Sequence, residues 1–181
     1  TADLLGLAAQ GVSPSADPEL AAEERRLSGE IDALERRIQG TGGGRAGSMG
    51  ALADGALAAG GRIVGVIPKF MVDLEWGHDD LTELHVVEDM RTRKHEMLTR
   101  ASAVVALAGG TGTLEELFEA ITLKRLGLFL GPIVIVNTRG YYDALIAQLA
   151  AAIERRFMDS RHESMWTVVG EPEEVLPAVE S

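Results

Sequence analysis

An apolar strand, Ser102-Ala103-Val104-Val105-Ala106-Leu107, runs into the loop Ala108-Gly109-Gly110-Thr111-Gly112-Thr113, and a helix is predicted from Leu114 to Leu126. Few segments constrain a fold more tightly. The first backbone N–H groups of a helix have no partner inside it, and the helix dipole favours negative charge at that end. Glycines let the main chain approach an anion closely and adopt conformations closed to other residues. Strand, glycine loop and helix together form an anion site. Gly110, Thr111, Gly112, Thr113 and Leu114 are its candidate binding residues, with the two threonines adding hydroxyl donors. Glu115 and Glu116 follow within the first turns of the predicted helix. A carboxylate aimed straight at a phosphate would repel it. Glu116 is therefore read as addressing a sugar beside the phosphate, and Glu115 equally as an acid that complements the helix dipole.

Strands and helices alternate along the rest of the chain. Apolar runs at Asp3–Ala9, Arg62–Ile67, Glu83–Val87, Pro132–Val136 and Trp166–Val169 read as strands, with a weaker one at Arg37–Thr41. Helices are expected at 18–37, after the glycine loop at 42–50, at 90–101 with Asp89 as cap, at 141–157 and at 172–179. Lys69 to Leu81 reads as irregular, with one helical turn. Continuously apolar strands separated by helices indicate a parallel sheet covered on both faces. The expectation is a single α/β domain spanning 1–181, with three layers and a sheet of six or seven strands. Ligands of such sheets bind beyond the carboxyl ends of the strands, where the strand order reverses.

The 181 residues carry a formal net charge of −11, which argues against a nucleic acid or an anionic membrane as partner. A small phosphate ligand, which feels only a local site, remains compatible. There is no cysteine, so disulfides and thiolate metal sites are excluded. No apolar run approaches the roughly 20 residues of a spanning helix, and no signal-peptide pattern opens the sequence, so a cytoplasmic location is expected.

Two further features bear on chemistry. Gly42-Gly43-Gly44-Arg45-Ala46-Gly47-Ser48-Met49-Gly50 contains a GxGxxG match. A dinucleotide site would need an acidic residue at the end of the next strand to hold a ribose. That strand ends Ile67-Pro68-Lys69, without a carboxylate. Tight strand–helix packing explains the glycines, and a nucleotide pressing on Gly43, Gly44 and Met49 is compatible with it. Neither glycine cluster ends in Gly-Lys-Ser/Thr, so a P-loop is excluded. On the helix from Met90, the residues Met90, Lys94, Met97 and Ala101 share a face, with Arg93 at its edge. Two methionines should turn that face inward, and buried cations need partners. The face starts at the sheet edge that holds both glycine loops, so Arg93 and Lys94 are expected to meet a phosphate-sugar site. The four histidines (78, 85, 95, 162) show no metal spacing.

Taken together, these motifs resemble the Lonely guy (LOG) family, the cytokinin riboside 5′-monophosphate phosphoribohydrolases formerly labelled lysine decarboxylases. The family pattern Pro-Gly-Gly-x-Gly-Thr-x-x-Glu corresponds to Ala108 through Glu116. Its Met-His-x-Arg-Lys element corresponds to Met90 through Lys94, and its Gly-Gly-Gly-x-x-Gly-x-Met-Gly loop to Gly42 through Gly50. The run Gly61 to Pro68 also matches, as does Glu115 to Thr122. Ala108, Arg91 and Thr92 depart from the usual proline, histidine and glutamate, and Ala9 to Pro14 replaces a Cys-Gly-Ser-Ser segment. The resemblance implies hydrolysis of the N-glycosidic bond of an adenosine 5′-monophosphate, with N6-substituted forms included, releasing free base and ribose 5-phosphate. It implies Arg93 and Glu116 as the catalytic pair. Substrate contacts would come from Glu75, Arg93, Lys94, the loop from Gly110 to Glu116, and Thr122. It also implies a Rossmann-like fold, a homodimer or larger assembly, and no cofactor or metal. The rival readings are a non-catalytic nucleotide or molybdenum-cofactor carrier, a nicotinamide-dependent oxidoreductase and a pyridoxal-dependent decarboxylase.

Overall fold

The computed structural model describes residues 4–7, 40–41, 47–73 and 80–181. Over these the chain runs β1 (Leu4–Leu7), β2 (Gly40–Thr41), α1 (Gly47–Ala58), β3 (Ile63–Pro68), α2 (Lys69–Asp73), β4 (Glu83–Val87), α3 (Met90–Arg100) and β5 (Ala103–Ala106). It continues through α4 (Thr111–Arg125), β6 (Ile133–Val136), α5 (Asp143–Glu154), β7 (Thr167–Val169) and α6 (Val175–Glu180). Short 3-10 segments lie at Thr138–Gly140, Ser160–Met165 and Pro172–Glu174. The helix expected at 18–37 lies outside the described residues.

Each strand pairing is parallel. Parallel neighbours need a long crossover, which the intervening helices supply. The strands form two sheets, ordered β1-β5-β6-β7 and β2-β3-β4. This corrects the expectation of one sheet of six or seven strands. β1 pairs with β5 on one side and lies against β2 on the other, without a ladder between β1 and β2. The two residues of β2 pair with Ile63 and Val64 of β3, and no ladder joins the two sheets among the described residues.

Helices cover both faces. Val104 and Ala106 of β5 and Ile133 and Ile135 of β6 pack with Met97, Leu98, Leu117, Ala120, Ile121 and Leu149 of α3, α4 and α5. The alternate residues Ala103, Val105, Val134 and Val136 pack with Val169 and with Val175 of α6. Side chains one apart in a strand point to opposite faces, which is why each strand serves two cores. Val66 joins the first cluster, whereas Ile63 meets Ala53 and Ala56 of α1 on the other face. Each such Val, Ile or Leu contributes roughly 1.5–3 kcal/mol on burial.

Two helix boundaries differ from expectation. Helix α4 starts at Thr111 rather than Leu114. Gly112 is a poor helix former, but the first turn has few internal bonds to lose, so a glycine there does not delay the start. Helix α5 runs Asp143–Glu154 rather than 141–157. Positive φ at Arg139 (55°) and Gly140 (74°) turns the chain before it, which leaves Tyr141 and Tyr142 in the corner.

Candidate active site

The loop after β5 presents an open helix N-terminus. Gly110 is the N-cap of α4, with φ −85° and ψ −155° and no side-chain cap. A Cβ built on Gly110 would meet no described residue within 4 Å, so the described chain leaves the space beside it open. Thr113, in the first turn, is fully buried, and its Oγ1 has no hydrogen-bond partner among the described residues. Leaving a buried hydroxyl unsatisfied costs about 1–3 kcal/mol, so it is a group awaiting an acceptor. The uncapped N-terminus and the unpartnered hydroxyl both belong to the first turn of α4. Thr111 is exposed there, Gly112 is half-buried, and Leu114 packs toward the main core.

One turn further along α4, Glu116 is 4% exposed and forms an ion pair with the guanidinium of Arg93, which is 1% exposed. Arg93 Nε also donates to the carbonyl of Val66 in β3 at 2.8 Å. The start of α3 sets this aim. Asp89 caps the helix, its Oδ1 accepting from the Thr92 N–H at 2.7 Å, and the Asp89 carbonyl accepts from the Arg93 N–H. Burial pushes the Glu116 carboxyl above the usual carboxylate range, and the attraction of Arg93 only partly offsets it. Taking two charges out of water costs several kcal/mol per ion, so such a pair is poor evidence of stabilisation. It is better evidence of a functional pair, held dry and poised.

Arg93 therefore faces inward with Met97 and Leu98, not at the edge of the buried face as expected. Lys94 is the residue displaced. Its Nζ meets Glu115 Oε1 at 2.6 Å and Glu119 Oε2 at 2.9 Å on α4, and these carboxylates raise its pKa. Two consecutive residues of α3 thus grip α4, Arg93 from inside and Lys94 from outside. Glu115 is an ion-pair partner rather than a bare first-turn acid.

The other sequence candidates divide clearly. Met49 is buried in the first turn of α1. Gly43, Gly44 and Glu75 lie outside the described residues. Thr122 is exposed on α4, eleven residues beyond Thr111 and so about 16 Å further along the helix. Sequence reasoning missed the Val66 carbonyl and two tyrosines. Tyr141 Oη donates to the Gly109 carbonyl at 2.7 Å, and Tyr142 Oη donates to the Leu107 carbonyl. The only signal was a Gly-Tyr-Tyr run just past a strand of the same sheet.

The family model described as "Possible lysine decarboxylase" matches residues 49–179, which include Arg93, Glu116 and the glycine loop. The chain belongs to the Lonely guy family. A LOG relative from Rhodococcoides fascians, a cytokinin riboside 5′-monophosphate phosphoribohydrolase, is 43% identical over 141 residues, covering 77% of this chain and 71% of that protein. One of the same name from Arabidopsis thaliana is 39% identical over 123 residues, covering 67% of this chain and 58% of that protein. The chain thus spans little more than half the length of that plant relative. Among solved structures, a structural-genomics target aligns with a TM-score of 0.71 at 23% identity, over 99% of both chains. A molybdenum cofactor binding protein from Rippkaea orientalis aligns with a TM-score of 0.66 at 19% identity, over 99% of this chain and 96% of that one. At those identities the two structures establish a shared α/β fold and nothing further. Among the described residues, no helix is long and apolar enough to cross a membrane.

Proposed function

We propose that this LOG-family chain hydrolyses the N-glycosidic bond of adenosine 5′-monophosphates, including N6-substituted ones, giving free base and ribose 5-phosphate. The observation that carries the reading is the dry Arg93–Glu116 pair set one turn behind an open, amide-lined helix N-terminus. The names of the relatives point to the same reaction.

The 5′-phosphate docks on the first amides of α4 and on the hydroxyls of Thr111 and Thr113, giving the buried Thr113 oxygen its missing partner. The ribose then lies beside Glu116. Cleavage builds positive charge on the sugar as the C1′–N bond lengthens, and a carboxylate stabilises that charge. Water oxygen bonds to C1′, the C1′–N electron pair leaves with the base, and one water proton ends on the base nitrogen. The raised pKa makes Glu116 a stronger base, suited to accept a proton from that water. The guanidinium of Arg93 acts as a fixed cation and hydrogen-bond donor. Binding energy from the phosphate, remote from the breaking bond, positions the sugar. The reaction as written consumes only the nucleotide and water. Lys94 acts by holding Glu115 and Glu119, and a homodimer of single-domain chains is the assembly we propose.

The test is incubation with AMP and an N6-substituted AMP, followed by chromatography for free base and ribose 5-phosphate, with the unphosphorylated nucleosides as controls. Base release from the nucleotides, much reduced for the nucleosides, is expected. Tight nucleotide binding without base release would instead leave a carrier.

A further inference from the structure

The Leu114 N–H donates to the Gly110 carbonyl at 3.1 Å, but that bond restrains the 110–111 peptide and not the 109–110 peptide before it. Gly109 and Gly110 have no side chains, Gly110 lacks a side-chain cap, and the space beside it is open. Glycine also loses the most conformational freedom on ordering. A restraint on that earlier peptide comes from the corner between β6 and α5, where the Tyr141 hydroxyl meets the Gly109 carbonyl. We propose that Tyr141 is a positioning residue for the phosphate, acting through the Gly109 carbonyl. The proposal deepens the functional reading above and rests on it.

The corner itself is firmly built. Asn137 N–H donates to the Val169 carbonyl at 2.8 Å, its Oδ1 accepts from the Tyr142 N–H at 2.6 Å, and its Nδ2 donates to Asp143 Oδ1 at 2.8 Å. Thr138 Oγ1 donates to the Gly170 carbonyl at 3.2 Å. Gly140, at φ +74°, makes the turn; a Cβ there would lie 2.6 Å from Asp143 Oδ2. This frame points two consecutive tyrosines at the loop. Their rings meet edge to face, centroids 5.0 Å apart at 86°, so each braces the other. Tyr142 is 2% exposed and reaches the Leu107 carbonyl. Tyr141 is 52% exposed, yet its hydroxyl is committed to Gly109.

Planarity of the peptide group turns this contact into ligand recognition. The Gly109 carbonyl and the Gly110 N–H belong to one rigid plane and point opposite ways. Fixing the carbonyl toward Tyr141 therefore fixes the direction of the Gly110 N–H at the mouth of the anion site. Without the hydroxyl that plane can rotate, and the donor is no longer preset for phosphate. Ground-state binding of the phosphate weakens, while Glu116 and Arg93, on other peptides, keep their places.

Tyr141→Phe in the full chain is the test, because it removes one oxygen and keeps the half-exposed ring. Hydrogen exchange over residues 107–113 is expected to quicken, with the melting temperature unchanged. KM for AMP is expected to rise roughly three- to tenfold, the range of one net hydrogen bond, with kcat within about twofold. Turnover of adenosine, which has no phosphate to place, should not change. Unaltered loop exchange, or unaltered KM for AMP, overturns the proposal, as does a parallel fall in kcat and in adenosine turnover. Should wild type release no base from any nucleotide, the reaction itself fails. Inorganic phosphate then decides the positioning role: weaker phosphate binding by Tyr141→Phe sustains it, and equal binding overturns it.

Discussion

Replacing Glu116 by Gln separates chemistry from electrostatics in one variant. Gln keeps an oxygen for Arg93 to donate to and removes the charge and the titration. If Glu116 activates water and stabilises the sugar cation, kcat falls about 10²- to 10⁴-fold, roughly 3–5 kcal/mol of barrier, while AMP affinity is retained. Stability makes a second, independent demand. Burial raises the Glu116 pKa above its ordinary 4.5 despite Arg93. The folded chain then holds a proton over a range where the unfolded chain has released it. The stabilisation linked to that proton is fully present below 4.5 and is lost as pH rises through the folded-state value. Its steepest slope is about 1.4 kcal/mol per pH unit, the limit for one proton. Gln cannot titrate. The unfolding free energy of Glu116→Gln minus that of wild type should therefore grow as pH climbs from 4.5, measured by urea titration at successive pH values. Taking the difference cancels the other carboxylates. A difference that shrinks over this range would mean that attraction to Arg93 exceeds the burial penalty, and the account of a desolvated base would be wrong. Unimpaired turnover would remove Glu116 from the reaction.

Three further outcomes follow from the geometry. Gly110→Ala places a methyl in the open space before α4, so thermal unfolding should move by no more than a few degrees while calorimetry shows AMP binding weakened tenfold or more. Gly131→Ala is the contrast, since its Cβ would lie 2.0 Å from the Ser102 carbonyl oxygen and 2.8 Å from the Phe129 ring; a loss of about 3 kcal/mol or more in urea unfolding is expected. Lys94→Met should cost under about 1 kcal/mol at neutral pH and less than tenfold in kcat/KM, because Lys94 holds Glu115 and Glu119 rather than the loop. Those carboxylates raise the Lys94 pKa, so its contribution is full below 10.5 and disappears as pH rises through the folded-state value; a stability gap that widened in alkali would contradict the pairing.

Much of the site was legible because its parts are local. The strand–loop–helix at 102–116 follows from apolar residues, then glycines, then helix formers, and the Asp89 cap follows from one side chain and the next three residues. What periodicity misjudged was the face of α3. Counting apolar residues placed Arg93 at the rim, since a cation in the interior is improbable without its partner in view. That partner is Glu116, 23 residues away on another helix. Lys94 has its ion-pair partners, Glu115 and Glu119, on that same distant helix. Sheet connectivity was equally out of reach, because which short strands form a ladder depends on neighbours that sequence order does not name.

By itself, the sequence determined that strands and helices alternate, that one glycine loop opens a helix as an anion site, and, through the spacing of its motifs, that the chain resembles the LOG family. Those properties reside in consecutive residues and in backbone chemistry. Only the tertiary structure decided that Arg93 goes inward to Glu116 and Val66, and that Tyr141 and Tyr142 grip Gly109 and Leu107 across more than 30 residues. Each of these is a contact between elements that the chain brings together only by packing helices on a sheet. The partner of a buried charge or carbonyl is chosen by that packing, and no local pattern encodes it.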